Sequence, residues 1–495
     1  MEFTEQQQRA IIDQDLKFDT LMGMIERGER KLGIFGPAGV GKTHMAERLI
    51  RAISAVFIKK RGRVPMILCG AISHQACGVL ERMVESIEGI EFEVKTLASA
   101  LHLKKHVDSN GVETFIYKEK KQYIGRRWRV IPPPIAQCDI FISDECSQFD
   151  KKQLAQIDSL ISPNAYQFYL GDICQLPPID RLPGELCSPI FSIPNVTLSI
   201  PFRYEGDLMV LGDATREQIL LGLDHKKFDI NFWKAFTSDR GKDYEFTNSN
   251  ADFMHQMVEY NRDNENPYRV KFICYKNAIH EKVSAYIRNR INPNQYNWEP
   301  GDLIRATQTY NPEGTRNILV NSEHGIIERK STSTAKIVFV DEFGSNNYYG
   351  IFKNDRPDDR LIEEIEDITS LKVTLVDLPY FIIKLIGKAD WIPIFPMYPK
   401  QFEDIGQTIL ANRYYPREDF DNNKWNAFYD LKNFFAEITY GYGSNSHVAQ
   451  GLTIDVVGTH GADIFSTHKA SPLERLQSFY VATTRAKYKN LIYWE

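Results

Sequence analysis

The 495 residues, 57.1 kDa, suffice for about three domains with sizeable cores, which excludes a disulfide-stapled miniprotein. Hydrophobic residues make up 43% and charged residues 25%, and the mean hydropathy of −0.36 is that of an ordinary folded chain, so wholesale disorder is excluded too. Sixty Lys and Arg against 65 Asp and Glu leave a net charge of −5, and this total by itself argues against a polyanionic partner.

No stretch can span a bilayer: the most apolar neighbourhood, residues 378–397, is interrupted by Lys384, Lys388, Asp390 and several prolines and glycines. The first residues lack the basic and apolar pattern of a secretory signal, so a cytoplasmic location is expected. Seven cysteines with no C-x-x-C pair fit neither a zinc site nor a disulfide framework and read as free thiols.

In chain order, apolar runs alternate with helical patterns over residues 1–100: Lys31 to Phe35, Thr43 to Ile58, Pro65 to Cys69, Ser73 to Ile87. This is the βαβ rhythm of a parallel sheet covered by helices. From His102 to Val130 the rhythm stops, and eight Lys or Arg face three acids. Asn110-Gly111 between two apolar-alternating runs predicts a hairpin there. Asp139 to Ser143 resumes a buried strand. A second α/β unit opens with a strand at Val270 to Cys274 and a helix at Ala278 to Arg290. Residues 306–400 read as short strands with turn signals, a small β-barrel or sandwich. Within them, Asp341 to Asp367 holds nine acids and three bases, which reads as a solvated acidic face. Helical character (Lys424 to Ala436) and then α/β character (Ile454 to Val457, Tyr480 to Ala486, Leu491 to Trp494) close the chain.

The chemistry is concentrated in a few segments. Gly36-Pro-Ala-Gly39-Val-Gly41-Lys42-Thr43 fits G-x-x-x-x-G-K-[ST] after a strand and before a helix. Its glycines let backbone N–H groups wrap phosphate oxygens, Lys42 reaches the β and γ phosphates, and Thr43 is a magnesium ligand. About a hundred residues on, an apolar strand ends in Asp144-Glu145. Such pairs are commonplace alone; downstream of a P-loop, Asp144 is expected to hold Mg²⁺ and Glu145 to polarise the attacking water. Gly171-Asp172-x-x-Gln175 places an uncharged donor and acceptor near a γ-phosphate. Arg203, as the first domain ends, and Arg485, near the C-terminus, are arginines able to stabilise a transferring phosphoryl group.

Taken in order, these motifs resemble superfamily 1 helicases of the subclass that includes RecD and the phage helicase Dda. Residues 3–10 are similar to the family's N-terminal Q motif, Gly36 to Thr43 to motif I, Asp144-Glu145 to motif II and Gly171 to Pro178 to motif III. Phe202-Arg203 resembles the arginine-finger segment, Phe272 to Arg288 the opening of the second RecA-like domain, Ser446 to Thr453 motif V and Tyr480 to Ala486 motif VI. The resemblance implies an α/β fold with two RecA-like domains. One would be 1–200, with a basic β-hairpin pin inserted at 102–130. The other would be 201–305 plus 431–495, with an SH3-like β-barrel inserted at 306–430. It implies ATP and Mg²⁺ as cofactors, with Gln7 reading adenine and Gln450 and Gly451 at the nucleotide. It further implies single-stranded and forked duplex DNA held at Ser73, His74, Thr96, Phe115, Asn277, His447 and Thr453.

The function so implied is ATP-dependent unwinding of DNA by 5′ to 3′ translocation, by a monomer that works with replication or recombination proteins. The alternatives are a single-strand translocase that displaces bound proteins, or an RNA helicase. A nucleotide-gated module without turnover is hard to reconcile with Lys42, Asp144, Glu145, Gln175, Arg203 and Arg485 together. Two positions depart from the family pattern: Ser73-His74 stands where a threonine is usual, and Ala98 where relatives carry a histidine. His447 also fits an ordinary core histidine. Charge is where the total misleads: the basic excess of 102–130 and the acidic excess of 341–367 nearly cancel, so a local field for nucleic acid survives inside a net-negative chain.

Overall fold

The computed structural model describes residues 4–495 apart from 86, 88–89, 108–112, 125–126, 202–205, 238–242, 263–268, 294–297, 311–317, 343–344, 353–371, 387, 389–390 and 395–434. At 75, 85, 104–107, 113–114, 124, 331–342, 345–352 and 372–379 it describes the backbone alone. The chain divides into two compact units, one of residues 1–264, 269–280 and 444–495, the other of 265–268 and 281–443.

The first unit holds two parallel sheets. Helix α1 (Glu5–Glu26) begins at Thr4, whose side chain accepts from the Gln7 backbone while Gln7 reaches back to the Thr4 N–H, a capping box that satisfies two otherwise orphaned donors. Then follow β1 (Lys31–Phe35), α2 (Lys42–Arg61), β2 (Ile67–Ala71), α3 (His74–Glu85), β3 (Phe92–Thr96) and α4 (Leu97–Ala100). Helix α2 ends in Lys59-Lys60-Arg61 before a left-handed Gly62, basic charge at the negative end of the helix dipole. After two hairpins come β8 (Ile140–Ser143), α5 (Lys151–Leu160), β9 (Tyr166–Gly171) and β10 (Asn195–Thr197). The sheet order is β10-β1-β9-β8-β2-β3, parallel throughout. Side-chain alternation splits its core in two: Leu32, Ile34, Ile67, Cys69, Ile140, Ile142, Phe168 and Leu170 pack on the face covered by α2 and α3. Phe35, Leu68, Phe141 and Tyr169 pack on the other, with α4 and α5. Burial on both faces is why these strands read as continuous apolar runs.

The segment expected to carry one basic hairpin carries two. Strands β4 (Leu103–Val107) and β5 (Glu113–Tyr117) pair from Leu103↔Tyr117 to Val107↔Glu113, and β6 (Lys120–Ile124) and β7 (Arg127–Ile131) form a second antiparallel pair. The Asn110-Gly111 turn lies outside the described residues. The sequence showed only that turn signal; Ile124-Gly125-Arg126-Arg127 offers no comparable one.

Beyond α6 (Asp207–Leu223), the second parallel sheet joins β11 (Tyr244–Thr247), β12 (Val270–Cys274), β20 (Ile454–His460) and β21 (Ala486–Tyr493), ordered β11-β21-β20-β12, with β19 (Gly443–Asn445) beside β12. Helices α7 (Asn250–Arg262) and α8 (Asn277–Ile291) flank β12 in sequence. Two further helices, α9 (Gly461–Ser466) and α10 (Pro472–Thr483), lie between β20 and β21. Helix α10 starts with Ser471 as N-cap and Pro472 in its first turn. The expectation of an α/β fold on two parallel cores is borne out. Tyr480 to Thr483, within the stretch read as a return of α/β character, form the last turn of α10, where the helical spacing of Leu473, Leu476 and Tyr480 builds one buried face.

The second unit is antiparallel: β13 (Leu303–Ala306), β14 (His324–Glu342), β16 (Lys372–Leu385), β17 (Trp391–Ile394) and β18 (Ile438–Tyr440) run in the order β17-β16-β14-β13-β18, with β15 (Ser345–Phe352) on β14. Strands β14 and β16 are much longer than the short strands expected. Register shifts at Ile327/Arg329 and Thr332/Lys336 interrupt the alternation that a sequence reading relies on. Within this unit the buried Arg288 guanidinium makes two 3.0 Å bonds to Asp302.

Candidate nucleotide site

Motif I sits on the tip of β1. Gly36 has φ +146° and a Cβ built there would meet the Leu198 carbonyl oxygen at 2.3 Å, so only glycine fits. Gly39 and Gly41 also have positive φ, and Gly41 caps α2, whose first residue is Lys42 and second is Thr43. Lys42 Nζ donates to the carbonyls of Gly36 and Pro37 at 2.9 Å each. Burial pushes its pKa down against the raising influence of Asp172, Asp144 and Glu145. Behind the loop, the buried Gln14 of α1 donates to Val40 O at 2.8 Å, tying the N-terminal helix to the phosphate cradle.

Motif II follows β8. Asp144 Oδ1 accepts from the Glu145 N–H at 2.8 Å, and Glu145 has φ +54°, the left-handed region. Burial raises both carboxyls, opposed at Asp144 by Lys42. Glu145 is pushed up to about 7, by burial and then by Asp144, with Arg485 and Lys42 opposing.

Motif III follows β9. A Cβ on Gly171 would lie 2.5 Å from Cys146 Sγ, so this close approach of the two motifs requires glycine. Asp172 is fully buried; Cys174 N–H and Arg216 donate to its Oδ1, and the Tyr480 hydroxyl donates to Oδ2 at 2.8 Å. Against the upward push of burial, Arg216, Lys42 and Tyr480 hold this carboxyl below its ordinary value. Gln175 is 3% exposed, and its Oε1 has no hydrogen-bond partner among the described residues.

Motifs V and VI come from the second sheet and reach the same place. Gln148, three residues past Glu145, donates its amide to Gln450 Oε1, and the Gln450 amide nitrogen has no partner among the described residues. A Cβ built on Gly451 would lie 3.4 Å from Glu145 Oε1. Arg485 is 2% exposed, donates to Val481 O and Leu452 O, and its charge acts on Glu145. The structure therefore brings together Gly36, Gly39, Gly41, Lys42, Thr43, Asp144, Glu145, Gln175, Gln450, Gly451 and Arg485. Arg203 lies outside the described residues. Gln7 occupies the α1 capping box, its Oε1 accepting from Thr4 N–H at 3.1 Å.

The residues expected at DNA lie elsewhere on this unit. Ser73 caps α3, its Oγ accepting from Ala76 N–H at 3.1 Å, with His74 opening the helix. Thr96 caps α4 and is the register partner of Ala71, two residues before Ser73, in the β2–β3 pairing, so both caps stand at the ends of neighbouring parallel strands. Phe115 on β5 is 63% exposed. Asn277 Oδ1 accepts from Asn445 Nδ2 at 2.6 Å. His447 packs edge-on against Tyr275 in a cleft of about 720 Å³ also lined by Pro177, Arg181 and Glu474, and burial lowers its pKa. Thr453 is exposed after motif V.

Sequence reading missed Gln14, Gln148 and Arg216, and it named Tyr480 only as the start of motif VI. A glutamine on the buried face of an amphipathic helix is the one signal that pointed to Gln14; the rest arise only when distant segments meet.

Two buried amide atoms without hydrogen-bond partners among the described residues, Gln175 Oε1 and Gln450 Nε2, a pair of adjacent carboxyls raised by burial, and a left-handed glycine loop opening a helix suit a nucleoside triphosphate with its cation. The fold and site define a P-loop nucleoside triphosphatase with two parallel-sheet cores. Residues 19–205 match the AAA domain family. Over 482 residues, 95% of this chain and 96% of the relative, the chain is 23% identical to the ATP-dependent DNA helicase dda of Enterobacteria phage T4. It is 23% identical to an uncharacterized protein of Acanthamoeba polyphaga mimivirus over 96% of this chain and 97% of that one. Among solved structures it is similar to a Pif1 helicase structure describing unwinding at forked dsDNA by two coordinating helicases (TM-score 0.46, 13% identity, 99% and 92% of the two chains). It is also similar to Bacteroides Pif1 bound to ssDNA (0.44, 14%, 99% and 92%). The resemblance to superfamily 1 helicases carried by the motif series is thus matched by a similarity to a phage DNA helicase that runs over nearly the whole of both chains.

Proposed function

We propose that the chain is an ATP-dependent DNA helicase that moves on single-stranded DNA, 5′ to 3′, and separates the duplex at a fork. The observation that carries this reading is the meeting of Lys42, Asp144, Glu145 and Gln175 from the first sheet with Gln450, Gly451 and Arg485 from the second. Full-length similarity to a DNA helicase supports it. A nucleotide gripped by both cores ties hydrolysis to their separation, which is what a motor needs.

In that reading the P-loop amides and Lys42 bind the β and γ phosphates, and Glu145 accepts a proton from the attacking water. Gln175 contacts the γ-phosphate, and Arg485, with Arg203, stabilises charge on the transferring group. Thr43 and Asp144 are the residues that would hold Mg²⁺, which neutralises phosphate charge when bound. Ser73, Thr96, Asn277, His447 and Thr453 hold the strand through its phosphates, as sequence-independent movement requires. The β4–β5 hairpin with Phe115 is the wedge.

The test is unwinding of matched duplexes carrying only a 5′ or only a 3′ tail, in DNA and in RNA. ATP-dependent separation of the 5′-tailed DNA is expected. Separation of the 3′-tailed substrate alone reverses the polarity; no separation of any substrate, with ATP hydrolysis intact, removes the helicase reading.

A further inference from the structure

The Asp172 carboxylate is charged, fully buried and bonded to two helices of the second core. Arg216 of α6 and the Tyr480 hydroxyl of α10 take its two oxygens. The residues just after it are embedded there as well: Cys174 and Ile173 pack with Ile219 of α6 and Leu473, Leu476 and Tyr480 of α10. The loop continuing β9 of the first sheet is thus plugged between two helices of the second.

Both ends of this plug lead to the nucleotide. On one side, Gln175 N–H donates to Asp172 O at 3.0 Å, so the turn that presents the Gln175 amide is closed on the clamped residue. On the other, Thr484 Oγ1 donates to Tyr480 O at 2.7 Å and accepts from Arg485 Nη2 at 3.2 Å, so the clamped tyrosine is bonded through one residue to the arginine that faces Glu145. An apolar contact would hold the cores together at less desolvation cost. A buried ion pair with directional bonds fixes one register instead, the best-attested use of such pairs.

We propose that Arg216 is a positioning residue for ATP turnover: with Tyr480 it clamps Asp172, setting Gln175 and Arg485 at a fixed mutual distance and carrying the state of the nucleotide into α6 and α10. This rests on the reading of the site as an ATPase.

The experiment uses the full chain and compares wild type with Arg216→Lys, Arg216→Gln, Tyr480→Phe and the Arg216→Lys/Tyr480→Phe double variant. Four quantities are measured: ATP affinity with a fluorescent nucleotide, kcat with and without single-stranded DNA, and the thermal midpoint. The phenylalanine keeps the packed ring and loses only the hydroxyl; the lysine keeps the charge and loses the planar fork. Expected is a loss of about tenfold or more in DNA-stimulated kcat with ATP affinity within about threefold, the signature of an interaction made only in the transition state. Arg216→Lys should retain more activity than Arg216→Gln, and the double variant should lose less than the product of the single losses, because both act through Asp172. Wild-type stimulated kcat in Tyr480→Phe and Arg216→Lys overturns the proposal. So does a loss that tracks a fallen thermal midpoint and affects ATP affinity equally, which assigns the clamp to folding. A wild-type chain that hydrolyses no ATP sinks the ATPase reading itself, a separate result.

Discussion

Glu145 is held in a conformation that few side chains adopt unaided. Its φ of +54° costs a glutamate about 1 kcal/mol or more, and it is buried beside a second carboxyl. A raised carboxyl is a better base than a free one, provided it is ionised, and Glu145, pushed up to about 7, is protonated below that pH. The sign is therefore fixed: kcat/KM for ATP should fall as pH drops below about 7, by nearly tenfold per unit at the acid end, once the titration of ATP itself is divided out. A profile flat from pH 5.5 to 8 would show that Glu145 stays ionised throughout that range and would remove the raised carboxyl; its role as base is tested by substitution. Substitution separates its role from that of Lys42. Lys42→Ala should abolish turnover and weaken ATP binding, whereas Glu145→Gln should abolish turnover and keep binding, because it preserves shape while removing the base. Phosphate release and nucleotide titration check both, and wild-type turnover in either variant refutes the assignment.

The elements that carry these side chains depend on how closely their loops approach. Gly171 ends β9 where Cys146 Sγ leaves no room for a Cβ. Gly171→Ala should therefore destabilise the chain by about 1–3 kcal/mol, read from the urea midpoint at unchanged slope. What was legible in the sequence follows from the same distinction between local and distant. The strand–loop–helix of residues 31–61 and the apolar strand before Asp144-Glu145 are local patterns, and the structure places them where the spacing did. The Arg216–Asp172–Tyr480 clamp joins residues up to 308 positions apart, and although Arg216 is the one basic residue of α6, nothing in that helix names its partner. The second hairpin escaped for want of a turn signal, and the length of β14 and β16 was hidden by register shifts. The first hairpin gives its own test: deleting Val107 to Thr114 should leave DNA-stimulated ATP hydrolysis intact and abolish duplex separation. Unwinding at the normal rate by that variant excludes the wedge.

At the scale of the whole molecule, the net charge of −5 opposes polyanion binding only if charge is spread evenly, and it is not. Residues 118–131 hold six basic side chains against one acidic. Of these, Lys120, Lys121, Arg127 and Arg129 stand exposed on β6 and β7 beside Tyr123 and Trp128, rings 5.6 Å apart and themselves 60% and 69% exposed. Within a Debye length of about 8 Å at physiological salt, a phosphate near this hairpin feels the local basic excess, which Glu119, 3.1 Å from Lys121, offsets by a single charge. The consequence is quantitative. Each cation that neutralises a single-strand phosphate contributes about 0.7 to the slope of log affinity against log salt. Exchanging all four for glutamine should lower that slope by up to about 3 if every one of them contacts the strand, and leave ATP hydrolysis without DNA unchanged. Loss of Trp128 should instead weaken binding equally at every salt concentration, by about 1–3 kcal/mol if a base stacks on it. An unaltered salt slope in the fourfold variant would show that the hairpin's charges face solvent, and that the strand finds its cations elsewhere on the two cores.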